Sequence, residues 1–149
     1  MKCVFRAFHG PSDWGWVQHH LALHRVEDTV GVIAVDEDTN TTVAGFIGDS
    51  WTATAVQGHI IIDDPMVLRH GFLEEVTDFV YNVGEREVII ATVASNNAAA
   101  LSVNKKIGFS EIARIPNGMS FGVDSVIMTM TKEQCRYWTP YTQKVAANG

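Results

Sequence analysis

The chain has few cysteines and no long apolar run. Its two cysteines, Cys3 and Cys135, are far apart in 149 residues and fit no metal-ligand spacing, which favours reduced thiols over a disulfide framework. No apolar stretch approaches the roughly 20 residues that a membrane-spanning helix needs. The N-terminal residues lack a sustained apolar segment and a small-residue cleavage site, so we expect no secretory signal and a cytoplasmic location.

Basic side chains are also scarce. The chain has 11 lysines and arginines against 17 aspartates and glutamates, which gives a formal net charge of −6. A protein that binds nucleic acid regardless of sequence needs a basic surface to replace phosphate counterions, and the only local basic cluster is Lys105-Lys106. We therefore expect neither a nucleic-acid nor a membrane partner. The acidic balance is compatible with an amine-bearing substrate without selecting one.

The chain contains enough hydrophobic residues to form a core. Hydrophobic residues make up 46% of the chain and charged residues 19%, which is ordinary for a globular domain. The length matches one domain. We assign residues 1–138 to that domain and expect residues 139–149 to form a poorly ordered C-terminal tail.

Hydrophobic periodicity predicts strands and helices in alternation. We predict strands at residues 2–8, 30–35, 42–47, 52–62, 88–93, 109–115 and 126–130. We predict helices at about 12–25, 66–83 and 97–107, a loop at 116–122 and a helical turn within 132–138. This order predicts a single α/β (α+β) domain with a mixed central sheet of six to seven strands and helices on both faces.

The stretch at residues 88–109, VIIATVASNNAAALSVNKKIGF, is the most informative part of the chain. A β-branched run suits a strand buried on both faces. Ser95 and Asn96 then offer side-chain oxygens that can cap a helix, and Gly108 stands where a left-handed C-cap is expected. The stretch therefore predicts a buried strand followed directly by one short helix.

This helix resembles the N-x-x-A-x-x-x-Y-x-x-x-G-F segment of the GNAT superfamily of acyl-CoA-dependent N-acyltransferases. The matching positions are Asn97, Ala100, Asn104, Gly108 and Phe109, and Asn104 stands where the family has its tyrosine. The hairpin residues 43–46 and the segment 124–128 are similar to further strands of the family. The resemblance implies a GNAT-like fold, acetyl-CoA as co-substrate and an amine as acceptor.

The resemblance also implies a set of cofactor-binding residues. Relatives carry R-x-x-G-x-G/A after a proline that ends the fourth strand, because glycines let backbone N–H groups approach the pyrophosphate at a helix N-terminus. Here the run LRHGFL follows Pro65 and keeps only one glycine. The implied cofactor contacts are Ile61, Ile62 and Asp63 through backbone N–H groups, Arg69, His70, Gly71 and Phe72 in the loop, and Asn97 and Lys106 on the helix. A plain helix start is the alternative for the loop.

Three residues are candidates for the chemistry. His59 is the preferred general base because imidazole titrates near neutral pH, and Asp63 is a second candidate. Asn104 can hydrogen-bond a thioester or a water, although an amide is not a useful acid. The alternatives are a partly exposed strand histidine, a turn aspartate and an asparagine that satisfies a buried backbone group. For Asn97 the alternative is a helix cap beside Asn96, and that role is compatible with a cofactor contact.

Two histidines, His20 and His24, share a predicted helix face, but no cysteine or carboxylate pattern accompanies them, so we expect no metal site. The predicted function is an acyl-CoA-dependent N-acetyltransferase that acetylates an amine of a small molecule or protein. The alternative is a catalytically inactive GNAT-fold interaction or structural protein of the kind that a tailed bacteriophage encodes, located in the host cytoplasm. A protein partner or a homodimer is a further expectation.

Overall fold

The computed structural model describes residues 1–148 and has one mixed sheet. The strands, in the sheet order β1-β2-β3-β4-β5-β7-β6, are β1 Cys3–Ala7, β2 Val30–Asp36, β3 Thr41–Asp49, β4 Ala55–Ile62, β5 Val88–Ala94, β7 Val123–Thr131 and β6 Ser110–Ser120. The helices are α1 Gly10–His20, a 3-10 helix Pro65–His70, α2 Phe72–Thr77, a π-helix Asp78–Val83, α3 Ala98–Ile107 and α4 Tyr141–Asn148. The predicted mixed α/β sheet with helices on both faces is confirmed.

The sheet is open in its middle because β4 and β5 pair over only part of their length. All other neighbours are antiparallel, whereas β4 and β5 are parallel and pair only between residues 55–57 and 88–90. Both strands continue beyond that point, and within residues 1–148 no further pair joins them. Their C-terminal ends therefore diverge and leave a gap in the sheet.

The two faces of the sheet bury different cores. One face packs against α1 through a cluster that includes Val17, Ile33, Ile47 and Ile61. The opposite face packs against α2, the π-helix and α3 through a larger cluster. Because side chains alternate along a strand, neighbouring residues of β4 belong to different faces. His59 therefore lies on the α1 face and Ile60 on the α3 face.

An ion pair holds α1 against β1. The Arg6 guanidinium donates to both carboxylate oxygens of Asp13, at 2.6 and 2.7 Å, and the backbone N–H of His9 donates to Asp13 at 2.9 Å. Burial acts to raise the pKa of Asp13, but these hydrogen bonds outweigh it and the net pKa is lowered. Such a bidentate contact fixes orientation as well as distance. The start of α1 is therefore tied to the edge of the sheet.

Two predicted helices have different bounds in the structure. The helix predicted at 12–25 ends at His20, because Leu21 has an extended backbone with φ −133° and ψ 137°. The helix predicted at 66–83 is divided by Gly71, whose φ of 85° lies in the left-handed region. A residue in that conformation cannot continue a right-handed helix, so a 3-10 turn precedes Gly71 and α2 follows it.

Three further predictions can be compared with the structure. Residues 116–120, predicted as a loop, continue β6, and the turn is confined to the residues around Gly122, whose φ is 81°. The cap of α3 is Asn97, which confirms the alternative role expected for that residue, and neither Ser95 nor Asn96 caps the helix, because it is the Asn97 side chain that accepts from the Ala100 N–H. The predicted C-terminal tail contains α4, and its residue 149 lies outside the described residues. No helix of the described chain is long and apolar enough to cross a membrane.

Candidate active site

A cavity of about 270 Å³ occupies the gap between β4 and β5. It is lined by Leu21, Gly58, His59, Ile60, Ile89, Ala91, Thr92, Val93, Ala94, Asn97, Ala100, Asn104, Phe109 and Met119. A Cβ on Gly58 would lie 2.7 Å from the Phe46 ring and 2.8 Å from Ile89 Cγ2. Glycine is therefore required where the strands begin to diverge. Since the lining residues come from both faces of the sheet, the cavity connects the α1 side with the α3 side.

His59 lies at this cavity and is oriented by Asp49. Its Nε2 is 3.0 Å from Asp49 Oδ2, and Asp49 is 12% exposed. Because a carboxylate accepts, the neutral ring donates its proton from Nε2 and keeps its lone pair at Nδ1. Ser50 Oγ donates to the other Asp49 oxygen at 3.0 Å. The pair thus has the base-and-orienter arrangement that acid–base catalysis uses.

Asn104 reaches the cavity from α3. It is half-buried, and the Nδ2 group lies 3.8 Å from Met128 Sδ, a weak contact for an amide donor. Its backbone oxygen accepts from the N–H groups of Gly108 and Phe109 at the end of the helix. Asn97 lines the same cavity while capping α3. Asn104 is therefore a hydrogen-bonding group at the position where the resembled family has tyrosine.

Backbone groups of β4 also face the gap. The Asp63 N–H donates to Val43 O at 2.9 Å, so Asp63 faces β3. Successive residues of a strand direct their backbone groups to opposite neighbours. Ile61 therefore faces β3 as well, whereas Ile60 and Ile62 direct theirs toward β5, beyond the last β4–β5 pair. Of the three predicted backbone contacts, Ile62 is the one whose N–H faces the gap.

The Asp63 side chain does not line the cavity. It is 54% exposed, and its Oδ1 lies 3.3 Å from Nε2 of His20, a half-buried ring near the end of α1. The other ring nitrogen of His20 lies 2.9 Å from Trp16 O. Asp63 and His20 thus form a second carboxylate–imidazole pair, separate from Asp49 and His59. No group of three metal-ligating side chains occurs in the described residues.

Basic side chains in the loop before α2 are followed by acidic side chains in the first turn of that helix. Arg69 and His70 are exposed at the end of the 3-10 helix, and Phe72 is fully buried in the core. Free N–H groups at the start of a helix attract anions. However, Glu74 and Glu75 lie in the first turn of α2. These carboxylates oppose a bound anion, so Arg69 and His70 are the only predicted loop residues whose side-chain charge favours one.

Sequence reasoning missed Asp49, Leu21 and Met119, and of its predicted site side chains only those of His59, Asn97 and Asn104 line the cavity. Asp49 and His59 become neighbours because β3 and β4 pair with Ile47 opposite His59, and an isolated sequence does not fix that register. Leu21 was expected in the middle of a helix and Met119 in a loop. Lys106 is exposed on α3 and does not line the cavity.

Comparison with known proteins identifies the fold. No protein-family model and no curated protein matches the sequence. The spermidine/spermine N-acetyltransferase SpeG from Vibrio cholerae matches the structure with a TM-score of 0.71 at 12% identity, over 87% of this chain and 92% of that chain. The ribosomal-protein-S18-alanine N-acetyltransferase from Escherichia coli matches with a TM-score of 0.68 at 16% identity, over 87% and 93%. The chain has the GNAT fold, as its segment at residues 97–109 predicted.

Proposed function

We propose that the protein is an acyl-CoA-dependent N-acetyltransferase that uses acetyl-CoA to acetylate an amine of a small molecule or protein. The observation that carries this proposal is the cavity between β4 and β5, which joins an oriented histidine on one face of the sheet to Asn104 on the other. The matched N-acetyltransferase structures support it through their shared fold.

His59 is the proposed base. Acetyl-CoA, when bound, supplies a thioester whose carbonyl carbon accepts the amine's lone pair and whose sulfur leaves. The amine must be neutral to attack, so a proton has to pass from nitrogen to a base. Nδ1 of His59 is available for that proton, and Asp49 stabilises the resulting imidazolium through Nε2.

Backbone N–H groups and Asn104 complete the proposed machinery. The N–H groups of Ile60 and Ile62 face the gap and are positioned to stabilise negative charge on an acyl oxygen. Asn104 hydrogen-bonds the thioester or a water, and that water returns a proton to the departing thiolate. The proposed contacts for the remainder of the cofactor are Asn97 and the exposed Arg69 and His70. The positive charge of Lys106 also favours binding of the anionic cofactor.

A non-catalytic GNAT-fold interaction protein, including one encoded by a bacteriophage, is the second candidate. Leu73 is buried where the resembled family has a small residue, and Glu74 and Glu75 place negative charge at the start of α2. These features weaken a pyrophosphate site.

A cytoplasmic location also belongs to the proposal and rests on the free thiols of Cys3 and Cys135.

Calorimetric titration with acetyl-CoA separates the two candidates. The cavity is filled selectively by Ala100→Trp, because Ala100 lines it, while Ala99→Trp on the exposed side of α3 is the matched control. We expect wild type and the Ala99→Trp protein to bind acetyl-CoA and the Ala100→Trp protein to bind at least about tenfold more weakly. Absence of wild-type binding at millimolar-scale acetyl-CoA would remove the enzyme proposal. Circular dichroism of both variants verifies that they fold.

A further inference from the structure

The gap cavity has no formally charged residue type in its lining. Among its described lining residues, the polar side chains are His59, Thr92, Asn97 and Asn104, and none is an aspartate, glutamate, lysine or arginine. A charged group that enters such a space loses hydration without gaining an opposite charge. The lining therefore disfavours a ligand that must bury a second charge there.

The nearest carboxylates on the His59 side already have partners. Asp49 accepts hydrogen bonds from His59 and from Ser50 Oγ. Asp63, which is outside the lining, lies 3.3 Å from His20 Nε2. Both carboxylates therefore have a histidine partner, and neither lines the cavity. An ammonium group inside the cavity meets no carboxylate in its lining.

Two apolar side chains stand at the cavity on either side of the sheet gap. Leu21 follows α1 and belongs to the apolar cluster on the His59 face. Met119 comes from the far end of β6 and is 45% exposed, although it also lines the cavity. An exposed methionine adapts its shape to varied apolar ligands. Leu21 and Met119 together offer an apolar contact surface beside the candidate base.

We propose that the acceptor is a primary monoamine carried on an apolar body, with Leu21 and Met119 contacting that body and His59 taking the proton from its nitrogen. This inference rests on the proposed acetyltransferase function and specifies its substrate class. It disfavours a polyamine, whose additional ammonium groups find no carboxylate in the cavity lining, and an amino acid, whose carboxylate finds no cation there. In this respect the chain differs from the spermidine N-acetyltransferase whose fold it shares.

The test compares three amines with the full chain and acetyl-CoA: phenethylamine, spermidine and alanine. We expect kcat/KM for phenethylamine to exceed both others by at least about tenfold, since apolar contacts of one or two groups discriminate by that order. Met119→Glu places a carboxylate at the cavity, so we expect it to lower kcat/KM for phenethylamine about tenfold and to raise it for spermidine. Ile112→Glu is the matched control, because Ile112 is 61% exposed on the same strand and outside the lining.

The outcomes distinguish this inference from the function on which it rests. Faster acetylation of spermidine or alanine than of phenethylamine overturns the substrate class and leaves the acetyltransferase function intact. Equal effects of Met119→Glu and Ile112→Glu overturn the assigned contact. Acetyl-CoA binding without any acetylation of phenethylamine also refutes the inference. Absence of acetyl-CoA binding removes the function and the substrate class together.

Discussion

At the scale of single residues, the proposed chemistry depends on how Asp49 orients His59. The carboxylate lies 3.0 Å from Nε2 and is largely buried, so it fixes the tautomer that leaves Nδ1 as the proton acceptor. Asn104 faces the same cavity but has no acidic hydrogen. The residue-level geometry therefore supports His59 as the proposed base and Asn104 as a hydrogen-bonding amide, and in the proposed mechanism water protonates the thiolate.

Substitution of His59 and Asp49 tests that assignment. We expect His59→Ala to lower kcat by about a hundredfold or more, because general bases contribute on the order of 10²–10⁴. Asp49→Asn should lower kcat by about tenfold and alter its pH profile with little change in KM, since the amide no longer stabilises the imidazolium. Steady-state kinetics measures both, with Gln57→Ala on the same face of β4 as control. Full kcat in the Asp49→Asn protein contradicts the orienting role.

A tyrosine at position 104 tests proton delivery to sulfur. Asn104→Tyr introduces a hydroxyl at the half-buried position that lines the cavity. We expect kcat to rise at least about tenfold, because a positioned acid replaces water as the proton source. Val103→Tyr, at a neighbouring exposed position of α3, should leave kcat unchanged. An Asn104→Tyr protein with unchanged kcat and intact acetyl-CoA binding shows that the thiolate leaves without needing an acid at this position.

Local pattern and resemblance made His59 and Asn104 candidates, and both line the cavity, but the sequence did not point to Asp49. The strand containing His59 and the helix containing Asn104 are each contiguous, so their positions follow from short-range periodicity. The contact between Asp49 and His59 instead depends on the cross-strand register, which is a long-range property. Orientation of the base was for that reason beyond sequence reasoning.

At the scale of secondary structure, Leu21 directly after α1 lines the proposed acceptor side, and the position of α1 depends on Arg6 and Asp13. Asp13 is 4% exposed, whereas Arg6 is 38% exposed. Asp13 also accepts a hydrogen bond from the backbone N–H of His9, the residue before the first residue of the helix. A bound carboxylate near a helix N-terminus is favourable for the helix dipole as well. Loss of this contact should therefore loosen α1 and, with it, the position of Leu21.

Removal of the Asp13 carboxylate tests whether its contact with Arg6 holds α1 against β1. We expect Asp13→Ala to lower the free energy of unfolding by about 2 kcal/mol, the order for hydrogen bonds to a charged group. Burial raises the pKa of Asp13, but the hydrogen bonds from Arg6 and His9 lower it below the ordinary 3.8. Its stabilisation is therefore complete above that value and is lost as pH falls through the lower folded-state pKa.

Urea denaturation at pH 7 and at progressively lower pH measures both effects. The wild-type protein should lose stability in the acid range, and the Asp13→Ala protein should lose less over the same interval. Asp38→Ala serves as control, because Asp38 is 60% exposed and pairs only with the N-terminal amine among its described ion pairs. If the free energy of unfolding falls with pH by the same amount in wild type and in Asp13→Ala, the proposed contribution of this carboxylate is contradicted.

Element boundaries were predictable where local chemistry alone determines them. The β2–β3 hairpin and α3 follow from β-branched runs, a polar turn and a capped helix. The long helix predicted at 66–83 failed because Gly71 adopts a left-handed conformation that its apolar periodicity does not reveal. Residues 116–120 were assigned to a loop by their proline and glycine, but β6 continues through them with a register irregularity between Ile115 and Ser120, at a sheet edge where both residue types are tolerated.

At the scale of the whole molecule, the determining feature is the short parallel pairing of β4 with β5. Only residues 55–57 and 88–90 pair, so the sheet is continuous at one end of these strands and open at the other. The element order predicts a mixed sheet, but the extent of β4–β5 pairing depends on long-range register.

Transfer of an acetyl group through this gap is the central claim, and mass spectrometry of the products tests it most directly. The purified chain is incubated with acetyl-CoA and phenethylamine, and the N-acetylated amine and free CoA are quantified together. We expect equal amounts of both products with wild type, a strongly reduced yield with His59→Ala, and no enzyme-dependent yield with Ala100→Trp. Release of CoA without acetylated amine, or equal yields from wild type and the Ala100→Trp protein, would contradict the claim that the gap between β4 and β5 is the site of transfer.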